Sequence, residues 1–223
     1  MDSNLYPDLM EAGGLAAAMV RAAREHGIDL GSVWPGSTSQ RAHYVSAVAE
    51  SDRGPILVGL GAEKRWFSIS IEGDLHPWAS GGTDSLVSVV RVLDSWRSGA
   101  TLQELNALFP FMCYGELEEA RERGDVVATQ WRHILAEGNQ FFDQSLLCEI
   151  HSHERLRELF PFFSHGILRI ARDHTDRRAG EIWITPLRSG AYRVEDTAAD
   201  ASREVAQSPD QVISAVMDFL DMP

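Results

Sequence analysis

Cysteine and long apolar runs are both scarce in this chain of 223 residues. Cys113 and Cys148 are its only cysteines, and no apolar stretch approaches the roughly 20 residues that a membrane-spanning helix needs. The first residues lack the positive region and the apolar run of a secretory signal. Two thiols without such a signal predict reduced cysteines rather than a disulfide framework. We therefore expect a cytoplasmic protein with no membrane partner.

Positive charge is scarce as well. The formal net charge is −13, from 33 acidic and 20 basic side chains, and Lys64 is the only lysine. Such a chain repels the phosphate backbone of nucleic acids, whose binding depends on clustered lysine and arginine. The sequence also contains no recognised cofactor fingerprint. We therefore predict neither a nucleic-acid partner nor a cofactor.

Prolines mark helix ends at the two places where Leu-Phe-Pro-Phe occurs, within residues 105–115 and again within 156–166. The residue before a proline disfavours helical angles, so a short amphipathic helix should end before each proline. Thr101 and Glu104 have the spacing of a capping box and predict where the first of these helices begins. Ser152 is predicted to cap the second.

Two β-hairpins are predicted from alternating apolar residues on either side of short turns. Residues 56–60 and 66–71 form the first hairpin, in which Trp66 lies on the more solvent-exposed face. Residues 182–187 and 191–194 form the second. These patterns predict an antiparallel sheet in each half of the chain.

Helices are predicted over residues 14–26 and 116–137, and after Ser208, which precedes a proline at the first helical position. An internal glycine is expected to bend or divide the 116–137 helix. Glycine-rich and polar composition predicts loops over residues 75–82 and 195–207. The connections between predicted strands therefore include one long polar loop near the C-terminus.

The order of these elements predicts an α+β fold. Two small antiparallel-sheet lobes of α-βββ-α type, with a pseudo-repeat as one explanation of their similarity, are joined by a helical middle. The expected boundaries are 1–100 for the N-terminal lobe, 101–151 for the helical middle and 152–223 for the C-terminal lobe. One continuous domain is the alternative.

The densest polar segment runs from Cys148 to Glu154 and contains four residue types that bind transition metals. It lacks the His-Glu-x-x-His spacing of a zinc-binding helix. In the structural interpretation, Ser152 breaks the segment as a helix cap, and Glu154 is favoured in the first turn by the helix dipole. We favour that interpretation and predict no metal site.

His165 is the strongest catalytic candidate, because it lies where a predicted helix ends and a strand begins, and a histidine there could act as a general base. Cys113 occupies the matching position after the first Leu-Phe-Pro-Phe, and Glu149 and His151 are the other groups that could assist. The simpler interpretation is that Gly166 supplies an unusual backbone angle and that His165 hydrogen-bonds a neighbouring carbonyl. We favour the simpler interpretation.

Aromatic residues and arginines are the candidates for ligand or partner binding. They are Trp66, His76, Trp78, Arg169, Arg172 and Arg193. His76 and Trp78 precede a Ser-Gly-Gly segment that could deliver backbone N–H groups to an anion, although Asp84 would compete for those donors. Trp78 either stacks on a ligand or packs in the core, and we favour packing. The arginines either collect an acidic ligand or form a solvated sheet face, and the solvated face is favoured.

Several of these residues together resemble an uncharacterised actinobacterial (Streptomyces-type) family whose members carry the label natural-product biosynthesis protein. The resemblance runs from about residue 55 to about residue 195. It rests on Trp66, His76-Pro77-Trp78-Ala79-Ser80-Gly81, Trp96 with Gly99, Phe109-Pro110-Phe111, Gln130-Trp131 and the segment from Leu156 to Arg169. It implies a cytoplasmic bacterial protein close to tailoring enzymes, and it provides no catalytic residues to transfer to this chain.

The leading hypothesis is an accessory or interaction protein of a specialised-metabolite pathway that binds a peptide, a carrier or an enzyme partner. The first alternative is a small cofactor-independent tailoring enzyme of cyclase or hydrolase type, which would use His165 with Glu149, His151 or Cys113. The second alternative is an immunity-type protein that neutralises a basic toxin through charge complementarity. Whether the chain is catalytic stays open, and a homodimer is a further alternative.

Overall fold

The computed structural model describes residues 4–36, 45–140, 142–205 and 208–221. These residues form an α+β fold with two antiparallel sheets, as predicted, but the sheets have six and five strands rather than the three expected in each α-βββ-α lobe. The chain divides into two compact units, Met1–Glu122 and Arg123–Pro223, each with its own sheet. The residues predicted as a helical middle, 101–151, divide between the two units.

Helices of the first unit lie before and after its main strands. They are α1 (Pro7–Ala12), α2 (Leu15–Glu25), α3 (Leu86–Arg97), α4 (Leu102–Leu108) and α5 (Glu116–Arg123). α2 confirms the helix predicted over residues 14–26. The capping box at the start of α4 is also confirmed, since the Thr101 hydroxyl accepts the N–H of Glu104 at 3.2 Å and the Thr101 N–H donates to the Glu104 carboxylate at 2.9 Å.

The first sheet has six antiparallel strands in sequence order. They are β1 (Val33–Pro35), β2 (Ser46–Ala49), β3 (Ile56–Leu60), β4 (Phe67–Glu72), β5 (Pro77–Thr83) and β6 (Met112–Cys113). β3 and β4 confirm the predicted hairpin. Phe67, Ile69 and Ile71 are buried in a core with α2 and α3, whereas Trp66 is exposed.

The loop predicted over residues 75–82 is wrong, because β5 crosses it. The glycines of this segment permit close packing. A Cβ atom on Gly81 would lie 2.2 Å from the carbonyl oxygen of Phe111, and one on Gly82 would lie 2.5 Å from Nε1 of Trp66. Neighbours from distant segments, rather than a chain reversal, therefore require glycine here.

Arg53, in the turn between β2 and β3, binds to the C-terminal end of α3. Its guanidinium carbon lies 3.3 Å from the centroid of the Trp96 ring, and its Nη2 donates to the carbonyl oxygens of Trp96 at 3.0 Å and Ala100 at 2.7 Å. Its Nη1 donates to Oε1 of Glu122 in α5 at 3.1 Å. One side chain thus combines a cation–π contact with hydrogen bonds to two helices.

The second unit contains three helices at its two ends. They are α6 (Val126–Glu137), α7 (Gln144–Ser152) and α8 (Pro209–Leu220). As expected, the helix predicted over residues 116–137 is divided, and Gly124 takes a φ of 83° between α5 and α6. α8 begins with a proline after Ser208, as predicted. Ser152 closes α7 instead of capping a new helix, so that prediction is wrong.

The second sheet has five antiparallel strands in the order β11-β10-β9-β8-β7. They are β7 (Phe160–Ser164), β8 (Ile167–Ala171), β9 (Glu181–Pro186), β10 (Tyr192–Asp196) and β11 (Ala201–Val205). β9 and β10 confirm the predicted hairpin. Two predictions are wrong, since β11 lies in the expected 195–207 loop and β7 replaces an expected helix end. Pro161 is tolerated because β7 is an edge strand.

One face of the second sheet packs against the helices. Its buried residues include Leu168, Ile170 and Ile184, which share a core with Val216 and Phe219 of α8. The opposite face carries aromatic and charged side chains. Within the described ranges, no helix has the length and the apolar composition needed to cross a bilayer.

Candidate functional site

His165 lies in the tight turn that joins β7 and β8. Its φ is 54° and that of Gly166 is 78°, so both residues take the left-handed angles of a two-residue hairpin turn. The Nδ1 atom of His165 lies 3.0 Å from the hydroxyl of Ser164. Gly166 therefore shapes the turn as in the simpler interpretation, whereas the hydrogen-bond partner of His165 is the Ser164 hydroxyl and not the predicted carbonyl.

Glu149 and His151 belong to the same unit as His165, whereas Cys113 belongs to the first unit. Cys113 is exposed in β6 of the first unit, and Glu149 is exposed on α7. The ring of His151 packs 5.3 Å from the ring of Trp131. Among the described residues, no hydrogen bond connects Glu149 or His151 to His165, and no group of three or more histidine, cysteine and acidic side chains could hold a metal.

Trp78 and His76 lie against the core of the first unit. The Nε1 of Trp78 donates to the carbonyl oxygen of Arg53 at 3.0 Å, and its ring lies 4.8 Å from that of His76 and 6.2 Å from that of Trp96. This is the packing interpretation of Trp78. The start of α3 is capped internally, because the hydroxyl of Ser85 accepts the N–H of Ser88 at 3.2 Å.

Trp66 occupies a different environment, on the solvent-exposed face of the first sheet. Its indole lies across the bare backbone of Gly82, where a Cβ would be 2.5 Å from Nε1, and Lys64 Nζ is 4.7 Å from the ring centroid. The hydroxyl of Tyr6 accepts the N–H of Trp66 at 3.0 Å and donates to the carbonyl oxygen of Gly61 at 2.8 Å. A buried tyrosine therefore fixes the backbone at Trp66.

We call the outer surface around Trp66 the first open face. The strand register places these residues on it: Trp34, Ser46, Val48, Leu57, Gly59, Ser68, Ser70, Glu72, Ser80, Gly82 and Cys113. Trp66 precedes β4 and lies on the same side against Gly82. Glu72 is charged and accepts a hydrogen bond from the Ser70 hydroxyl, and the Lys64 ammonium lies over the Trp66 ring. Trp34, Leu57 and Trp66 are 37%, 41% and 37% exposed, and they are three of the five exposed large apolar residues in the described part of the chain. The serines and Leu57 line a depression of about 590 Å³.

The outer surface of the second sheet is the second open face. The strand register places these side chains on it: Phe160, Phe162, Arg169, Glu181, Trp183, Thr185, Arg193, Glu195, Ser202 and Glu204. Phe162, Arg169 and Trp183 are direct neighbours across three strands. Arg193 is exposed and lies opposite Thr185. Two of the predicted binding arginines thus share one surface.

Arg172 lies on the opposite side, at the junction of the sheet with α8. Its Nη2 donates to Oδ2 of Asp196 at 2.8 Å and to the carbonyl oxygen of Phe219 at 2.9 Å. Asp196 is only 2% exposed. These contacts indicate that Arg172 stabilises the packing of the second sheet against α8.

Sequence reasoning overlooked four residues of the two open faces. Trp34 and Leu57 were not singled out, because β1 is too short to show alternation and Leu57 belongs to a continuous apolar run. Trp183 and Thr185 alternate with buried isoleucines in β9. This alternation could have indicated that both side chains lie on the outer face of the sheet.

Residues 125–221 match the profile of DUF6193, a family of unknown function. The match covers the helices and the sheet of the second unit and agrees with the expectation of an uncharacterised family there. Comparison with curated proteins and with solved structures gave no match. The actinobacterial origin and the biosynthetic label stay predictions.

Proposed function

We propose that this protein is an accessory interaction protein that binds a polypeptide partner through the first open face. The observation that carries the proposal is the exposure of Trp34, Leu57 and Trp66 on one serine- and glycine-rich sheet face of a chain whose net charge is −13. Trp34, Val48 and Leu57 are direct neighbours across β1, β2 and β3, and a contiguous apolar patch on a protein surface marks an interaction site. Tryptophan is also among the residues that contribute most to binding energy at interfaces.

The composition of the first open face supports polypeptide binding. Serine and glycine surround the two tryptophans, a combination that antibody paratopes use because it couples rigid aromatic anchors with adaptable hydrogen-bonding groups. The serine side chains do not project far from the sheet. The Ser68 hydroxyl, for example, donates to the carbonyl oxygen of Gly59 at 3.3 Å. Short side chains leave the indoles as the features that project.

Trp66 is held in place before any partner binds. Tyr6 makes hydrogen bonds to the backbone on both sides of the β3–β4 turn, with its hydroxyl 2.8 Å from the Gly61 oxygen and 3.1 Å from the Trp66 oxygen. A side chain that is already ordered loses less conformational entropy on binding. This preorganisation suits an anchor residue.

The partner in this proposal is a basic peptide, carrier or enzyme of a specialised-metabolite pathway in the bacterial cytoplasm. The resemblance described above supplies the pathway and the compartment. The basic character follows from an acidic excess on the face and its bordering segments, where Glu50, Glu63 and Glu72 outnumber Lys64. Opposite charge at a rim accelerates association, whereas the apolar centre contributes more of the affinity.

Two aspartate substitutions of exposed leucines test this proposal. Leu57→Asp places a charge in the first open face, and Leu108→Asp places the same charge at a residue that is 63% exposed outside it. Proteins encoded beside the gene are tested by gel filtration and calorimetry. We expect Leu57→Asp to weaken binding at least about ten-fold, as at an interface hot spot, and Leu108→Asp to leave it unchanged.

Trp34→Ser is the second variant of this experiment, because an aspartate in a strand can lower stability. Circular dichroism and urea unfolding establish that each variant is folded. Binding that survives Leu57→Asp and Trp34→Ser, or no binding to any neighbouring gene product, would contradict the proposal.

An immunity-type role is the second candidate, and the net charge of −13 favours it. In that case the occupant of the first open face is a basic toxin. Co-expression with a toxin encoded immediately upstream distinguishes the two roles, because protection of cells that depends on Leu57 supports immunity and absence of protection contradicts it.

A further inference from the structure

The second open face contains an arginine, Arg169, that is ion-paired with Glu181 but donates no hydrogen bond to the described residues. We propose that Arg169, together with Thr185 and Arg193, binds the carboxylate of a ligand whose aromatic or aliphatic body lies on Trp183 and Phe162. This site belongs to the second unit and does not depend on the function proposed for the first open face.

Two aromatic rings lie close to the Arg169 guanidinium. Its central carbon lies 4.2 Å from the centroid of the Trp183 ring and 5.9 Å from that of Phe162. Stacking occupies the flat surfaces of a guanidinium, whereas its N–H donors lie along the edge. The N–H groups along the edge of the Arg169 guanidinium therefore remain available to another acceptor.

The donors of Arg169 have no hydrogen-bond partner among the described residues. Its Nε is buried without a partner, and its Nη1 is 3.6 Å from Oε2 of Glu181, which is longer than a hydrogen bond. Glu181 already accepts the N–H of the Trp183 indole at 2.6 Å. Buried donors without acceptors are unfavourable, so an acceptor supplied by a ligand would be bound with a gain in free energy.

A second buried polar atom without a partner lies on the same face. It is the hydroxyl oxygen of Thr185, two residues along β9 from Trp183, the direct neighbour of Arg169. Diagonal neighbours of this kind are about 7–8 Å apart at their Cα atoms, within reach of one carboxylate held by a long side chain. The presence of these two polar atoms on adjacent strands of one face supports a binding site there.

Arg193 completes the site from the third strand. It lies directly opposite Thr185 in the register of β9 and β10, and it is exposed. The hydroxyl of Thr185 is shielded from solvent, so a ligand reaches it when neighbouring flexible side chains move, and Arg193 is the longest of these. Two guanidinium groups then flank one hydroxyl.

The surrounding charges favour a carboxylate over a phosphate. Glu204 lies opposite Arg193, and Glu195 lies opposite Trp183, so three glutamates including Glu181 surround the two arginines. A dianion would be repelled more strongly than a monoanion by these groups and by the net charge of −13. A planar carboxylate also matches the fork of a guanidinium.

Ligand titrations followed by NMR at the Trp183 indole N–H test the site. The resonance is assigned by its loss in Trp183→Phe. The probes are a heptapeptide ending in phenylalanine with a free carboxylate, the same peptide as its amide, 3-phenylpropionate and phenyl phosphate. A response to the free peptide alone identifies a polypeptide C-terminus as the source, and a response to 3-phenylpropionate as well identifies a small aromatic acid.

Four variants decide the residue assignment. We expect Arg169→Gln to weaken binding of the carboxylate probe roughly ten- to hundred-fold, as for loss of a charge-assisted hydrogen bond, and Arg169→Lys to weaken it because the planar fork is lost. Thr185→Val should weaken it without lowering stability. Arg188→Gln is the matched control, since it removes the same charge from the exposed turn between β9 and β10.

Three results would overturn the proposal. They are no binding of either carboxylate probe at millimolar concentration, equal binding of the peptide amide, and equal losses for Arg169→Gln and Arg188→Gln. Tighter binding of phenyl phosphate than of 3-phenylpropionate would overturn the carboxylate assignment.

Discussion

The carboxylate of Asp196 is buried and lies 2.8 Å from Nη2 of Arg172, at the junction of the second sheet with α8. The side chain of Asp196 is only 1% exposed and that of Arg172 is 22% exposed. A charge so shielded from water depends on its partner, because desolvation of an unpaired carboxylate is expensive. Arg172 also reaches the carbonyl oxygen of Phe219 at 2.9 Å, so the pair connects β8, β10 and α8.

We expect Arg172→Leu to lower the free energy of unfolding of the second unit by about 3–5 kcal/mol, because it leaves Asp196 buried and unpaired. Arg203→Leu is the control in the same unit. It breaks the pair with Asp218, whose two side chains are 47% and 51% exposed, and should cost at most about 1 kcal/mol. Urea unfolding measures both. Equal losses of unfolding free energy in the two variants would contradict the assigned role of Arg172. The double variant Arg172→Leu with Asp196→Leu should recover much of the stability that Arg172→Leu alone loses.

Gly82→Ala should disturb Trp66 more than Gly59→Ala does. The new Cβ at Gly82 would meet the indole, with Nε1 only 2.5 Å away, whereas at Gly59 it would meet the mobile hydroxyl of Ser68 at 3.0 Å. Overpacking of this kind costs about 1–3 kcal/mol. Tryptophan fluorescence and urea unfolding compare the variants, with Trp66→Phe to identify the signal. A smaller change in Gly82→Ala than in Gly59→Ala would contradict the described position of the indole.

Local patterns predicted the elements whose residues determine their own structure. The capping box at Thr101, the proline start of α8 and the alternation around Phe67 each depend on neighbours in sequence. β5 was missed because its glycines suggested a loop. Gly82 is instead required by the indole of Trp66, which lies against it and is distant in sequence. Pro161 was misread, since only the sheet order shows that β7 is an edge.

The candidate sites were predictable only in part, because strand register decides which side chains meet. Arg169 and Trp66 were identified as residue types suited to binding. The relation of Arg169 to Trp183 and Thr185 depends on the pairing of β8 with β9, which composition does not specify. The burial that leaves two polar atoms without partners is likewise a property of the folded sheet.

Thr185→Val should leave the free energy of unfolding unchanged or raise it by up to about 1 kcal/mol, because it removes a buried hydroxyl that has no partner. Thr129→Val is the matched control in α6, where the hydroxyl of a fully buried threonine accepts Nη2 of Arg132 at 3.0 Å. That variant should lose about 1 kcal/mol. Urea unfolding of both proteins checks the difference. A loss at Thr185 as large as at Thr129 would show that the Thr185 hydroxyl is bonded in the folded protein.

Asp8 provides a prediction for acid pH. A two-pronged hydrogen bond from Arg65, with distances of 2.8 and 2.9 Å, holds the pKa of Asp8 below its ordinary value of 3.8. The unfolded chain therefore binds this proton more readily than the folded chain, so the contribution of the pair is present above about pH 4 and is lost as pH falls through the lowered pKa. Both side chains are about one third exposed, which limits the contribution to about 0.5–1 kcal/mol.

Asp8→Asn should consequently lower the free energy of unfolding at pH 7, and the difference from the unsubstituted protein should shrink as pH is lowered from 5 to 3. Urea unfolding at each pH measures it. Arg65→Gln removes the other partner of the same pair, and the part of its effect that depends on Asp8 should shrink over the same range. A difference between Asp8→Asn and the unsubstituted protein that stays constant from pH 7 to pH 3 would show that the carboxylate gains nothing from Arg65, and the hydrogen bonds at 2.8 and 2.9 Å would then have no energetic consequence.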